Sequence, residues 1–462
     1  MATLASRQGG FFERTFGLAE RGTDVGTEVR AGLSTFMVMS YIIIVNAVVL
    51  TTGARIAGQD VAFPAVVTST CLVAGVMTLA MGLWANVPFA LAPGMGINAA
   101  VAFQLMVGLG YTFAEAMGVI LLEGLIITVL VLLGIRQRVL HALPLPLKQA
   151  IGAYEAGLFV VPLGATQGGT VPPATAGALG NFAQPSLVYA MLGLVLTALL
   201  LRYGVKGAIL LGILITTAIG VVVHLALGIP LSMVPGKLEL AGPVVSAPDF
   251  RYLGIGVGGL GFLTKGGGAL LLAGLLATLS LMLSDFFDTA GTFTALGTEA
   301  GLTDEDGHLR ENENRAYLVD SLGALGGGLV GSSSATTYIE SGAGIAEGGR
   351  TGLTALVTAI PFFIAMFLGN LFAIVPQEAT AGALMIVGLL MLAATATEIP
   401  WKDFSVGLPA LFTLMMMPLT WSITNGIGAG VILYCLLNFR RANPIMWAVA
   451  VAFAVYFVIG TH

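Results

Sequence analysis

The stretch Gly331-Ser332-Ser333-Ser334-Ala335-Thr336-Thr337-Tyr338-Ile339-Glu340-Ser341-Gly342 decides how this chain folds. Around it, apolar runs of membrane-crossing length alternate with short charged ones, yet this stretch is itself polar and glycine-bounded. Irregular backbone facing lipid would leave N–H and C=O groups unpaired at high cost. Such a segment must therefore point into protein or a water-filled cavity. A second interrupted segment, Ala92-Pro93-Gly94-Met95-Gly96-Ile97-Asn98-Ala99, stands at the matching place in the first half. Each places a polar residue, Asn98 or Glu340, directly after an isoleucine and before a small residue. Paired interruptions in corresponding halves point to the binding site of a secondary transporter.

Composition agrees. Hydrophobic residues make up 57% of the 462 and charged residues 9%, too few charges to cover a soluble protein of this size. The 63 glycines suit helices packed closely in lipid. A net charge of −5 offers no basic footprint for nucleic acid. Cys71 and Cys435 both sit in apolar runs and read as buried thiols, not as a disulfide or metal site. Residues 1–30 are polar and charged, and they read as a cytoplasmic segment, not a cleavable signal.

Apolar elements are expected at 31–50, 64–84, 87–108, 116–134, 147–163, 185–201 and 207–227. After a linker at 228–265 they resume at 266–296, 316–331, 337–346, 351–375 and 379–396, and 404–439 is long enough for two more. That makes fourteen, seven and seven, with one further apolar segment at 442–461. Arg7, Arg14, Arg21 and Arg30, then Arg136, Arg138 and Lys148, then Arg202 and Lys206, and finally Arg440 and Arg441 all fall on one face by this count. That face is cytoplasmic by the positive-inside rule, which places the N-terminus there in a plasma (inner) membrane.

The second strong feature is Ser284-Asp285-Phe286-Phe287-Asp288-Thr289-Ala290-Gly291-Thr292, deep in an apolar run. Asp285 and Asp288 share a helix face, and two ionised carboxylates so close in low dielectric repel. A carboxylate that changes protonation at membrane depth is what proton coupling requires, so Asp285, Asp288 and Glu340 are the coupling candidates. Glu123, Glu155 and His224 stand alone in their helices and read as packing or cavity-wall groups. Asn46 and Asp320 read as supports for neighbouring helices. No GxxxxGK[ST] loop occurs, so direct ATP drive has no support. The run Gly348-Gly349-Arg350-Thr351-Gly352 reads as a turn that starts the next helix.

Several motifs together carry a family resemblance. Gly22-Thr23, Thr27-Glu28, Ala31-Gly32-Leu33, Tyr41-Ile42 and Val45-Asn46 resemble the opening of AzgA-like purine permeases. The two interrupted segments, Phe287 to Thr292, Gly349 to Thr354 and Met416-Met417-Pro418 continue the pattern, from about Gly22 to Leu437. The resemblance implies membership of the nucleobase–ascorbate transporter superfamily. It also implies an all-α polytopic membrane protein, with fourteen elements in two inverted repeats of seven and short strands in elements three and ten. A core domain (31–134 and 266–375) and a gate domain (147–227 and 379–439) are implied with it, as are a homodimer and proton cotransport. By motif match Asn98, Asp288 and Glu340 take substrate roles, with Gly96 and Thr337 beside them. Relatives usually carry small or apolar residues where Glu123 and Glu155 stand.

Purine chemistry suits these residues. A purine is flat, neutral and edged with donors and acceptors. Glu340 accepts from ring or exocyclic N–H groups, Asn98 donates and accepts at once, and Phe89, Phe287 or Tyr338 offers a ring to stack on. No cofactor is expected beyond a coupling proton, and no enzyme activity. Uracil or xanthine stays open as substrate. An anion carrier of the same fold is disfavoured because no Arg or Lys lies at comparable depth.

Overall fold

The computed structural model describes residues 10–134 and 184–459, apart from short stretches within 206–241, at 266–267, at 305–308, within 377–398 and at 421–422. The first half comprises α1 (Phe11–Phe16), α2 (Val25–Met39), α3 (Tyr41–Ile56), α4 (Phe63–Ala80), β1 (Leu91–Pro93), α5 (Met95–Ala99), α6 (Phe113–Leu132), α7 (Pro185–Arg202) and α8 (Ala208–Leu227). Wide helical turns prolong α4 over Met81–Ala85 and α5 over Ala100–Gly108. The second half comprises α9 (Ile255–Gly259), α10 (Phe262–Lys265), α11 (Gly268–Glu299), α12 (Glu313–Val330), β2 (Ala335–Thr337), α13 (Gly342–Ala346), α14 (Gly352–Ala365) and α15 (Gly369–Ala373). It closes with α16 (Phe404–Thr420), α17 (Ile423–Leu437) and α18 (Pro444–Ile459). Among the described residues six helical spans are long and apolar enough to cross a membrane: Val25–Ile56, Phe63–Ala85, Phe113–Leu132, Pro185–Arg202, Ala208–Leu227 and Gly352–Ala373.

Local chemistry sets the helix ends. The Asp24 side chain accepts from the backbone N–H groups of Gly26 (2.8 Å) and Thr27 (3.1 Å), which starts α2. Thr112 and Glu115 form a reciprocal capping box at α6. Proline occupies the first turn of α4 and α7, where its missing N–H costs nothing. The first helix begins at Val25, earlier than the apolar run from residue 31 suggests, because Glu28 is not exposed to solvent. Its carboxylate is buried and accepts from the backbone N–H of Arg350 (2.9 Å), Thr351 (3.3 Å) and Thr354 (3.0 Å), and from both threonine hydroxyls (2.8 and 2.6 Å). These are the orphan donors at the start of α14. The run 348–352 is the turn that opens that helix, and Arg350 Nη1 donates to the carbonyls of Ile345 (2.6 Å) and Gly349 (2.8 Å) at the end of α13.

The two interrupted segments meet. β1 and β2 pair antiparallel with Leu91 opposite Thr337, Ala92 opposite Thr336 and Pro93 opposite Ala335. Pro93 and the glycine after it forbid a continuous helix here. Side chains and neighbouring backbone take up what the break releases. Leu91 N–H donates to Thr78 Oγ1 (2.8 Å), and that hydroxyl donates to Leu91 O (3.1 Å). Ala90 N–H donates to Ser341 Oγ (3.0 Å), Gly94 N–H to Ser334 O (2.8 Å) and Thr337 N–H to Asp320 Oδ1 (3.0 Å). Irregular backbone is tolerated at such depth only with this kind of internal pairing.

Helices approach closely around the pair. A Cβ on Gly124 of α6 would lie 2.2 Å from Leu325 N of α12, so those two helices touch backbone to backbone. α14 lies along α2 and α4, α7 packs on α8, and α16, α17 and α18 pack in sequence. The linker expected at 228–265 contains α9 and α10, and α9 is wedged against α6. The expected element at 147–163, with Glu155, and the basic residues Arg136, Arg138 and Lys148 lie outside the described residues; 379–396 is described only in part.

Candidate functional site

A cleft opens beside the paired strands. From β2 and the turn after it come Thr336, Thr337, Tyr338, Ile339 and Glu340; from α11 come Asp288 and Thr292; from the start of α5 come Gly94 and Met95. The geometry follows from the breaks. The segment 95–108 begins at the cleft, so its first amides and the positive end of its dipole face a site holding two carboxylates. Asp288 and Thr292 stand four apart on one face of α11, which brings both to the same wall.

Four of the polar wall residues are held from behind. Asp320 of α12, fully buried, accepts from Thr337 N–H (3.0 Å), Thr337 Oγ1 (3.0 Å), Thr336 Oγ1 (3.4 Å) and Thr289 Oγ1 (2.7 Å). One carboxylate thereby locks β2 to α11 and α12. Tyr338 lines the cleft and donates its hydroxyl to Pro93 O (2.6 Å). Glu340 Oε1 accepts from the Tyr41 hydroxyl at 2.5 Å.

The residues singled out from sequence divide into two sets. Asp288, Thr337, Tyr338 and Glu340 line the cleft together. Gly96, Asn98, Asp285 and Phe89 are buried and do not line it. Asn98 Nδ2 lies 3.5 Å from Pro93 O, and its Oδ1 has no hydrogen-bond partner in the structure. Phe89 packs on Phe293 with ring centroids 5.5 Å apart. The side chain of Phe287 lies outside the described residues. Glu123 is buried in α6, the helix that touches α12 backbone to backbone. Asn46 donates from Nδ2 to Thr70 Oγ1 (2.7 Å) and Ser332 O (3.0 Å), bracing the stretch before β2.

Sequence reading did not assign Tyr41, Thr292 or Thr336 to the site and took Asp320 only as a helix support. Thr292 was accessible through its spacing from Asp288. No spacing rule connects Tyr41 with Glu340 across 299 positions.

A helical membrane body with a cleft at two interrupted segments, walled by two half-buried acids, defines a membrane carrier. The chain belongs to the permease family, whose model matches residues 26–429. It is 36% identical to the adenine permease AdeQ of Escherichia coli over 98% of each chain. It is also 36% identical to the guanine/hypoxanthine permease PbuG of Bacillus subtilis over 96% of this chain and 98% of that one. In fold it is similar to the transmembrane domain of a cyanobacterium bicarbonate transporter, BicA, with a TM-score of 0.60 and 14% identity over 88% of this chain and 97% of that one. The resemblance carried by the sequence motifs is borne out at the level of the family, one of multi-pass membrane transporters and not of enzymes.

Proposed function

We propose that this permease imports purine nucleobases (guanine, hypoxanthine, adenine) across the plasma membrane by proton symport. The observation that carries the reading is the convergence of Glu340, Asp288 and Thr337 on one cleft whose lining, among the described residues, contains no Lys or Arg. Two carboxylates repel an anion and accept from the N–H groups of a neutral, donor-rich base. The similarity to adenine and guanine/hypoxanthine permeases supports the same substrate class. The likeness to a bicarbonate transporter is one of fold alone, and the acidic lining speaks against an anionic substrate.

In this reading a base stacks on the Tyr338 ring and donates an N–H to Glu340, while the Thr337 hydroxyl meets its polar edge. A proton on Asp288 or Glu340, with Asp285 one turn below, offsets the cost of holding both acids together. In a body of fourteen elements counted as two inverted repeats, the core domain (31–134 and 266–375) would carry the base past the gate domain (147–227 and 379–439). The N-terminus faces the cytoplasm, and the protein works as a homodimer.

The test is uptake of labelled guanine, hypoxanthine and adenine in cells lacking their own permeases, comparing wild type with Glu340→Gln. Saturable uptake that the variant loses, with both proteins at the membrane, is the expected result. No purine uptake by a well-expressed wild type overturns the substrate class in favour of uracil or xanthine, which competition by unlabelled bases identifies. Uptake indifferent to collapse of the proton gradient overturns the coupling.

A further inference from the structure

We infer that Tyr41 is a positioning residue that sets how many carboxylate oxygens the cleft offers a base, and with that its preference among purines. This rests on the purine reading above. Tyr41 opens α3 directly after Ser40, where the first span divides, and it is completely buried (0% exposed). It does not line the cleft. Its hydroxyl donates to Glu340 Oε1 at 2.5 Å, within the range of a hydrogen bond to an ionised carboxylate. The bond ties the first crossing to the turn Ile339–Ser341. It also takes one accepting position of Oε1 and fixes the plane of the carboxylate, so that Oε2 is the freer acceptor for a base.

A carboxylate with both oxygens open receives two parallel donors at once. Guanine presents such a pair on one edge, the ring N1–H and an exocyclic N2–H. Hypoxanthine presents only N1–H there. With the carboxylate plane set by the Tyr41 bond and Oε1 already accepting from it, the second donor of guanine meets Oε1 off line, and a donor desolvated for a poor partner gains little affinity. The wild-type cleft therefore treats the two bases alike. Removing the hydroxyl while keeping the ring opens Oε1 to guanine and gives hypoxanthine nothing.

The experiment is Tyr41→Phe in the full chain, expressed in cells lacking purine permeases, with KM measured for guanine and hypoxanthine by mutual competition. The expected result is a rise of about 5- to 10-fold in the ratio of the hypoxanthine KM to the guanine KM, the worth of one net hydrogen bond. An unchanged ratio overturns the inference even if the maximal rate falls, since a merely structural tyrosine affects both bases equally. Wild type supplies a second test that needs no variant. Its two KM values should lie within about 3-fold, and a guanine preference beyond about 10-fold means both oxygens already serve the base. A wild type that transports neither of these bases nor adenine overturns the purine reading and this inference with it, whereas one that takes adenine alone overturns this inference only. A wild type that transports both, with no change in the variant, overturns the role of Tyr41 alone.

Discussion

The two interrupted segments form one ladder, yet they contribute unequally. The first, β1 with α5, is apolar. It gives the cleft only Gly94 and Met95, and its strand is held by Thr78, a hydroxyl from α4. The second, β2 with its following turn, supplies five consecutive cleft residues and is held by the buried carboxylate of Asp320. Asn98 and Glu340 occupy matching sequence positions, but Glu340 lines the cleft and Asn98 does not. Equivalent topology does not impose equivalent chemistry. A break serves backbone geometry in one half, where Pro and Gly suffice, and ligand contact in the other, where Ser, Thr and Glu are needed.

The contrast can be broken at its strongest point first. Asp320→Asn replaces an oxygen that accepts by a nitrogen that cannot, under donors from Thr289, Thr336 and Thr337. Purine uptake should fall by about 100-fold or more at normal surface levels, since a buried hydrogen bond to a charged group is worth 1.5–3 kcal/mol and several share this one. Uptake within a few-fold of wild type would mean that β2 needs no such anchor.

On the other strand, Thr78→Val strips both backbone groups of Leu91 of their partner, with shape preserved. Thermal unfolding in detergent should show a loss of about 2–4 kcal/mol, from two buried groups left unpaired. Substrate preference should stay put, because Thr78 touches backbone and not the cleft. A changed preference at unchanged stability would make the first strand a partner in recognition.

Asn98→Ala sharpens the contrast directly. The expected rise in KM is below about 10-fold, well short of Glu340→Gln, because a residue outside the cleft acts only through packing. An effect equal to that of Glu340→Gln would restore symmetry between the halves and place Asn98 on the base in another conformation of the cycle.

The smallest effect lies outside both segments. The hydroxyl and N–H of Thr27, with the N–H of Gly26, hold the Asp24 carboxyl below its ordinary value of 3.8. A lowered value in the fold means the cap's stabilisation is complete above pH 3.8 and is lost as pH falls through the lowered value. Acid melting curves of wild type and Asp24→Ala should therefore differ slightly at neutral pH and converge as pH falls below the lowered value. A gap that persists at the acid end of the titration would show that the side chain does not act as an ionised cap.

Much of this was readable along the chain. Hydropathy and charge spacing located the membrane helices, because lipid admits no other way to satisfy a backbone. Pro93, Gly94, Gly331 and Gly342 marked the breaks, and the three-residue spacing of Asp285 and Asp288 placed both on one helix face. Glu28 was misleading: a carboxylate near the N-terminus reads as solvated until the first turn of α14 arrives with five donors.

What the sequence by itself determined, then, is a helical membrane carrier with two broken crossings and acids at depth. Those are local properties, set by residue type and period. Which acid reaches the cleft, which is buried beside it, and which tyrosine donates to Glu340 were decided only by the tertiary structure. Each depends on contacts between crossings hundreds of residues apart, such as Tyr41 with Glu340 or Leu91 with Thr337, and no periodicity within one helix encodes a register between two.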